Sequence, residues 1–471
     1  MKKLSVFSLL LASASLYAAP SVERVVVRQQ WPWSTDVKVE YSLVGVDEKN
    51  PVDISVSVFN GDVDLTSAKL NDAITGDRYY ITEPVGSFTI DPFTAFGTEK
   101  VALGNFKVKL TLAPSPANMN EILYKVVDLD SPYTVTDVRR HDFYNGKMGE
   151  YVTSYQDIDP EFSTSLENVL IWTGVTKDDI YKTDKMVFRR IPAAGKSFMM
   201  FTNNAMVNVN GGVGTNVWFT KDYYIAVFEM TQTQVKKFYS SFQFNETNKL
   251  YSAMRAASAA KLAGYYTQLR SGTNANIPWP EDSDHTIAQK NTSLVGNMQK
   301  KTGLCIDLPT EAMWEYACRA GTDTRLYTGH ASKKPVYNDS HTKKIMRVVD
   351  VNGQGDTDVA PRNCDLSRGP NIPGCYKPNA FGLYDMFGNL WEWCLDRYIS
   401  ASKVKGGEDP LGPTAEETSD TGKHVLRGGS YRWNATYVED RLNRTYSYGT
   451  EDHGIRLCIW LTYNEDGTLQ K

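Results

Sequence analysis

Between Ser21 and Leu112, apolar side chains recur at every second position of the sequence. Three runs show this period: Val37, Val39, Tyr41 and Leu43; Val52, Ile54, Val56 and Val58; and Phe106, Val108, Leu110 and Leu112. Successive side chains of a β-strand point to opposite faces, so a period of two predicts strands with one buried and one exposed face. The alternation therefore predicts antiparallel β-structure for the N-terminal part of the chain.

Turn-forming residues separate these runs, at Asp47–Pro51, Asn60–Gly61 and Gly76–Asp77. About seven short antiparallel strands in roughly 100 residues are typical of a β-sandwich, and we predict an all-β sandwich over residues 20–135. This arrangement resembles the immunoglobulin-like modules that stand ahead of other domains in exported bacterial proteins. The resemblance implies a spacer or an adhesive module. The segment carries no constellation of catalytic side chains.

The first residues have the three parts of a secretory signal. Lys2 and Lys3 precede an apolar run from Leu4 to Leu16, and small residues follow at Ala18 and Ala19. We therefore predict a signal peptide over residues 1–19 and export to the periplasm, the cell surface or the medium. No other stretch approaches the roughly 20 apolar residues that a membrane-spanning helix needs, so no membrane span is expected.

Charge and cysteine usage exclude two classes of function. The net charge of -4 and the absence of a Lys/Arg run argue against a nucleic-acid partner. All six cysteines lie in the second half of the chain, without a C-x-x-C pair, so a transition-metal site is not indicated. In an oxidising compartment disulfides persist. Cys364 and Cys375 bracket a turn-rich loop and form one candidate pair; the other pairings stay open.

The second half of the chain is predicted to be rich in loops. We expect a strand over Ile122 to Leu129, a connector over residues 136–180 and a second domain over residues 181–464, followed by a tail over 465–471. One short helix should begin at Thr231, where Gln234 completes a capping box. Another should begin at Thr310. Beyond Gly321, Gly, Pro, Asn and Asp are dense, which favours loops and short strands.

Five motifs in the second domain resemble those of the sulfatase-modifying factor family, the fold of formylglycine-generating enzyme. In order they read YYIAVFEMTQTQV, LPTEAMWEYACRAGT, KPNAFGLYDMFGNLWEWC, LRGGSYRWN and GIRL, and they lie between Met186 and Trp460. The resemblance implies an α+β, C-type-lectin-like core with long loops around a surface cleft.

The family's catalytic cysteines are replaced in this chain. In aerobic formylglycine-generating enzymes, two cysteines shortly after R-G-G-S bind copper(I), a soft metal that prefers thiolates. Alignment on Arg427–Ser430 places Trp433 and Val438 at those positions, so neither copper nor formylglycine generation by the usual mechanism is expected. A related branch holds iron on three histidines of an N-terminal helical bundle. Only His141 precedes Met186 here, so iron is not expected either.

Two functions remain after these exclusions. One is a non-catalytic binding module, a pseudoenzyme similar to the variable lectin-like proteins of diversity-generating retroelements, whose ligand residues follow R-G-G-S. Aromatic and Arg side chains suit recognition because they bury much area for little conformational entropy. The candidate ligand residues are Ser430, Tyr431, Arg432, Trp433, Asn434, Tyr437, Arg444 and Tyr446, for a peptide, glycan or cell-surface polymer. The alternative is an extracytoplasmic oxidase of the pyoverdine-maturation type, acting on a peptide or small phenolic substrate.

The GNLWEW segment is interpreted as mainly architectural. Trp391 and Trp393 are predicted to pack in the core or the cleft wall, Arg427 to hold loop carbonyls, and Gly428 and Gly429 to permit positive φ. The resemblance also implies a calcium ion beneath this segment. Its ligands would be the Asp385 and Glu392 carboxylates and the Gly388 and Leu390 carbonyls, oxygen ligands that calcium prefers.

Overall fold

A computed structural model describes residues 19–102, 104–201, 214–238, 294–330, 340–347, 372–414, 416–418, 423–433, 437–445 and 452–460. The chain forms two compact units. The first contains residues up to Glu121 together with Arg139–Met148, and the second contains Ile122–Val138 together with the residues from Gly149 onward.

The first unit is built from two antiparallel sheets. Its strands are β1 Ser21–Gln29, β2 Val37–Val44, β3 Val52–Asn60, β4 Val63–Asp64, β5 Ile74–Gly76, β6 Val85–Ile90 and β7 Phe106–Pro114, in the orders β1-β2-β6-β5 and β4-β3-β7. The predicted inward residues of β2 and β3 are buried and share one apolar core. Three short helices, α1 Ala68–Asp72, α2 Pro92–Phe96 and α3 Arg140–Tyr144, add to the expected strands. The immunoglobulin-like arrangement stays a prediction.

A six-stranded sheet forms one layer of the second unit. Its strands run in the order β14-β22-β13-β10-β8-β9, with β8 Ile122–Asp128, β9 Val135–Arg139, β10 Lys185–Ile191, β13 Tyr223–Ala226, β14 Ile306–Asp307 and β22 Cys458–Trp460. Antiparallel pairing of β10 with β8 aligns Lys185 with Asp128 and Arg189 with Tyr124. The strand predicted over Ile122 to Leu129 is therefore present, and it belongs to the second unit.

The structure divides the chain differently from the predicted boundaries. Strands β8 and β9 pair within the second unit's sheet, whereas the predicted sandwich extends to residue 135. The segment predicted as a connector contributes fully buried side chains to the second unit, among them Tyr155, Phe162 and Ile171. The sequence does not indicate this role, because the segment is polar overall and its widely spaced aromatic side chains show no helical or strand periodicity.

The other elements of the second unit are short. The remaining strands are β11 Ser197–Met200, β12 Thr215–Trp218, β15 Met346–Arg347, β16 Phe387–Gly388, β17 Trp391–Arg397, β18 Gly407–Glu408, β19 Lys423–Arg427, β20 Arg441–Thr445 and β21 His453–Gly454. The helices are α4 Ile180–Thr183, α5 Gln232–Phe238, α6 Leu294–Thr302, α7 Glu311–Arg319 and α8 Ser340–Ile345. Across the described part of the chain the structure is mostly β-sheet with few helices, and none of these helices is long and apolar enough to cross a membrane.

Both predicted helix starts are confirmed. The Thr231 amide donates to Gln234 Oε1 at 2.9 Å, and the Gln234 amide donates to Thr231 Oγ1 at 3.3 Å, which is the expected capping box. Thr310 Oγ1 accepts from the Met313 amide at 3.1 Å. These side chains satisfy amides that have no partner inside the helix, so a local sequence signal was sufficient to predict each start.

The described cysteines differ in state. Cys375 is disulfide-bonded, whereas Cys318, Cys394 and Cys458 are free. Cys364 lies outside the described residues, so its predicted pairing with Cys375 stays a prediction.

Candidate functional site

Three motifs meet on the sheet β20-β19-β17-β21. Antiparallel pairing of β17 with β19 aligns Glu392 with Arg427, and parallel pairing of β17 with β21 aligns Trp391 with His453. The WEW, RGGS and DHG segments therefore lie side by side, although up to about 60 residues separate them along the chain.

The paired glycines after Arg427 have the backbone conformation predicted for them. Gly428 has a φ of 91° and Gly429 a φ of 82°. A Cβ on Gly428 would lie 3.1 Å from the Met386 carbonyl oxygen and 3.2 Å from the Trp314 ring. Positive φ and close packing both require glycine at this position.

Arg427 is a buried scaffold residue, but it binds two carboxylates and only one of the loop carbonyls predicted for it. Its Nη1 donates to Glu311 Oε1 at 2.8 Å, and its Nη2 donates to Glu315 Oε2 at 2.6 Å and to the Val438 carbonyl. Burial opposes ionisation of Glu315, but the guanidinium groups of Arg319 and Arg427 hold its carboxyl pKa below the usual value. The network fixes the loop that follows R-G-G-S onto α7.

The described candidate ligand residues divide into buried and accessible groups. Ser430 and Tyr431 are buried, at 0% and 8% exposure. Arg432 is exposed, and Trp433 retains 43% of its accessible surface. Ser430 therefore holds the loop in place, and Arg432 and Trp433 are accessible to a partner.

Trp433 is held in a defined orientation. Its indole Nε1 donates to Asp452 Oδ2 at 3.2 Å, and Ser430 Oγ donates to the same oxygen at 3.0 Å. Its ring packs edge-to-face on Trp391, with centroids 5.8 Å apart. An accessible aromatic side chain fixed in this way loses little conformational entropy when a ligand covers it.

The other candidates on this surface are partly buried or lie outside the described residues. Tyr437 is half-buried beneath the guanidinium of Arg325, whose Cζ lies 4.3 Å from the ring centroid. Arg444 is half-buried on β20. Asn434 and Tyr446 lie outside the described residues. Val438, at the second replaced cysteine position, is 1% exposed and packs in the core.

A cluster of buried carboxylates lies beneath the GNLWEW segment. Asp385, Glu392 and Glu229 are 2%, 1% and 0% exposed. Burial raises the pKa of Asp385 to about 6, and burial with the nearby Glu392 charge raises the pKa of Glu229 well above its usual value. Arg456 supplies the main compensating positive charge.

Hydrogen bonds already engage much of this carboxylate cluster. Glu392 accepts from Arg456 through both oxygens and from Trp314 Nε1 at 2.5 Å. Glu229 accepts from the Asn389 side chain and, at 3.0 Å, from the Leu390 amide. Asp385 Oδ2 accepts from the Gly374 amide at 2.6 Å.

The donor set fits a hard cation at Asp385 better than at Glu392. Carboxylate and carbonyl oxygens are ligands that calcium prefers. A cation at Glu392, however, would share the carboxylate with the guanidinium of Arg456. Among the described residues, no group of three His, Cys, Asp or Glu side chains is arranged to hold a metal. The predicted calcium site consists of two carboxylates and two backbone carbonyls and is therefore not a group of this kind.

Sequence reasoning missed three residues of this region: Glu229, Asp452 and Arg456. Each lies in or beside a quoted motif, but its partner is 19 to 161 residues away. Only their positions in the sequence could have indicated a role in the site: Glu229 precedes the residue that caps helix α5, and Arg456 is the arginine of the GIRL motif. Pairings over such separations are not visible in one sequence.

Comparison with known proteins gives a family match over this unit. The family described as "Sulfatase-modifying factor enzyme 1-like domain" matches residues 190–460. The chain is 24% identical over 268 residues to formylglycine-generating enzyme of Mus musculus, covering 53% of this chain and 68% of the mouse protein. It is 36% identical over 131 residues to formylglycine-generating enzyme of Streptomyces coelicolor, covering 28% of this chain and 37% of that protein.

A solved structure, PvdO from Pseudomonas aeruginosa, is also similar. It shares 17% sequence identity, with 58% of this chain and 94% of that chain covered, at a TM-score of 0.41.

Proposed function

This chain belongs to the sulfatase-modifying factor enzyme 1-like domain family, and from that membership we propose that its second unit is a ligand-binding module without formylglycine-generating activity. The observation that carries the proposal is Trp433. It stands where the resemblance places the first copper-binding cysteine, and it is a fixed, accessible aromatic side chain.

The second replaced position supports the same conclusion. Val438 is a buried hydrocarbon side chain, which cannot ligate copper or exchange disulfides. The free cysteines Cys318, Cys394 and Cys458 are buried, and burial raises each thiol pKa well above its usual value. Thiolates are the reactive form of cysteine, so these three cysteines are poor substitutes for the missing pair.

The binding surface would be formed by Arg432 and Trp433, with Tyr437 and Arg444 at its edge. Trp433 supplies apolar contact area and Arg432 supplies directed hydrogen bonds, a pairing common among residues that dominate binding energy. The partner would be a peptide, a glycan or a cell-surface polymer, met after export of the chain to the periplasm, cell surface or medium.

The alternative function is an oxidase that acts without the two cysteines. Metal analysis and oxygen consumption of the purified chain separate the two functions, because an oxidase needs a redox centre or a direct reaction with oxygen. We expect neither stoichiometric copper or iron nor oxygen uptake with a cysteine-containing peptide or a phenol. Retained metal together with oxygen uptake would establish the oxidase instead.

We also propose a structural calcium ion at the loop that carries Asp385. The support is the excess of buried carboxylate over positive charge there and the positive φ of 77° at Gly388, which turns the backbone within the proposed ligand segment. The ion would stabilise the loop and take no part in catalysis.

A further inference from the structure

One end of the first unit exposes four large apolar side chains. Trp33 is 87% exposed, Phe93 63%, Val63 62% and Trp31 38%. Single exposed apolar residues are common, but several at one end of a small unit mark an interaction surface. We call these four residues the aromatic end.

The topology places their loops together. Val37, the first residue of β2, pairs with Ile90, the last residue of β6. The loop before β2, which holds Trp31 and Trp33, therefore lies at the same end of the sheet as α2, which follows β6 and holds Phe93. The turn that precedes Val63 joins this end through the Gly61 amide, which donates to the Asn105 carbonyl at 2.7 Å.

The side chain of Gln29 holds two of these segments together. Its Nε2 donates to the Thr35 carbonyl at 2.5 Å and to the Glu99 carbonyl at 2.7 Å, and its Oε1 accepts from the Val101 amide at 3.0 Å. Asp91 caps α2 by accepting from the Phe93 amide at 3.0 Å. These bonds fix the loop shapes, so binding there would require little further ordering.

The exposed charges around the aromatic end are mixed. Asp36, Asp62, Asp64 and Glu99 are exposed beside it, and so are Arg28, Lys38, Lys100 and Lys107. With acids and bases in equal number, this end has no basic patch of the kind that attracts anionic phospholipids and other polyanions. Carboxylate, amide and hydroxyl groups can instead hydrogen-bond the hydroxyls of an uncharged ligand.

We propose that the aromatic end binds a neutral polysaccharide. Its indole rings would stack on the apolar C–H faces of the sugar rings, and the surrounding carboxylates would accept hydrogen bonds from sugar hydroxyls. This binding site lies on the first unit, and the proposal does not depend on the function of the second unit.

Affinity electrophoresis of the purified 471-residue chain tests the proposal. Native gels would contain hydroxyethyl cellulose, a soluble β-1,3-glucan or glycol chitin at increasing concentration. We expect at least one of them to retard the wild-type chain, and Trp33→Ala and Phe93→Ala each to weaken the apparent affinity roughly tenfold or more. Trp33 is so exposed that its truncation should leave the thermal midpoint unchanged.

Trp218→Ala is the matched control, because Trp218 is an exposed tryptophan of the second unit at 40% exposure. Its affinity should equal that of the wild type. The proposal is overturned if none of the three polysaccharides retards the chain, or if Trp33→Ala is retarded like the wild type. It is also overturned if Trp33→Ala leaves polysaccharide binding unchanged but abolishes either binding to phosphatidylglycerol vesicles or self-association.

Discussion

Arg456 and Glu392 form a buried ion pair that joins distant segments of the second unit. Arg456 Nη2 lies 2.7 Å from Glu392 Oε1, and its Nε lies 3.0 Å from both carboxylate oxygens. Arg456 also donates to the carbonyls of Ala226, Val227 and Tyr384. One side chain therefore ties β17 to the residues around β13 and to the loop before Asp385.

Replacing Arg456 should destabilise the second unit strongly. Arg456→Met leaves the Glu392 charge buried without its partner, and such losses typically lower the free energy of unfolding by about 3 to 5 kcal/mol. The surface pair Lys177–Glu150, exposed at 62% on both sides, gives the control. Lys177→Met should change stability by less than about 1 kcal/mol. Denaturant unfolding of both variants makes the comparison, and equal losses would contradict the role given to Arg456.

Calcium should raise the thermal midpoint of the wild-type chain, because a ligand that binds only the folded state stabilises it. Asp385→Asn should abolish the increase, since it removes one ligand charge. Glu392 is a poorer position for this test because its substitution also breaks the Arg456 pair. Asp159→Asn is the control: Asp159 is a buried carboxylate paired with Lys344 and Lys377, and its variant should keep the response. Equal responses of wild type and Asp385→Asn would rule out the proposed ligand.

The titration of Asp396 should lower the stability of the second unit as pH rises from about 4 to about 7. Burial raises the pKa of Asp396 to about 7, whereas an unfolded aspartate titrates near 3.9. Between these values the folded state holds a proton that the unfolded state releases, so unfolding becomes more favourable with increasing pH.

Asp396→Asn isolates this contribution. The neutral amide cannot titrate, so the variant should lose a slope of up to about 1.4 kcal/mol per pH unit, the value for one proton. Unfolding curves of wild type and variant at pH 5 and pH 7.5 provide the measurement. Burial also raises the pKa of Glu439 to about 7, so part of the wild-type slope should remain in the variant. Identical pH dependence of the two proteins would refute the assignment.

Restoring two cysteines should restore copper binding. The double variant Trp433→Cys/Val438→Cys places thiols at both positions that the resemblance assigns to copper ligands, and copper(I) prefers paired thiolates. We expect one copper(I) per chain in competition with a chromogenic chelator. Neither single variant should bind comparably. If the double variant binds no more copper than the wild type, Trp433 and Val438 are not the equivalents of the catalytic cysteines.

Local signals in the sequence predicted local structure well. The strands β2 and β3 follow from their alternation because each has one face on an apolar core, and the starts at Thr231 and Thr310 follow from side chains that cap the adjacent turn. The positive φ of Gly428 was predicted for the same reason, since the conformation depends on the residue itself.

Pairings between distant segments could not be predicted. Ile122–Asp128 was recognised as a strand, but nothing in its residues shows that it joins β10 rather than the first unit. The support of Trp433 by Asp452, like the Glu229 contact with Leu390, depends on loops that meet only in the folded chain. Single-sequence reasoning therefore found the motif positions but not the contacts that give them their roles.

Trp433 should contribute to binding more than to stability. Its truncation removes one edge-to-face contact with Trp391 and one hydrogen bond to Asp452, each worth about 1 kcal/mol, in addition to the apolar area that the half-buried ring covers. Trp393 is 0% exposed, and Trp393→Ala should lower the free energy of unfolding by about 3 to 5 kcal/mol. Because Trp433 retains 43% of its accessible surface, Trp433→Ala should cost clearly less than Trp393→Ala, yet weaken binding to a peptide or glycan selected on an array by roughly 2 kcal/mol or more. Unfolding curves and binding isotherms of the two variants decide the matter. A loss of stability at Trp433 as large as at Trp393 would mean that the ring fills space in place of the family's active site, and the proposed binding surface would lose its central residue.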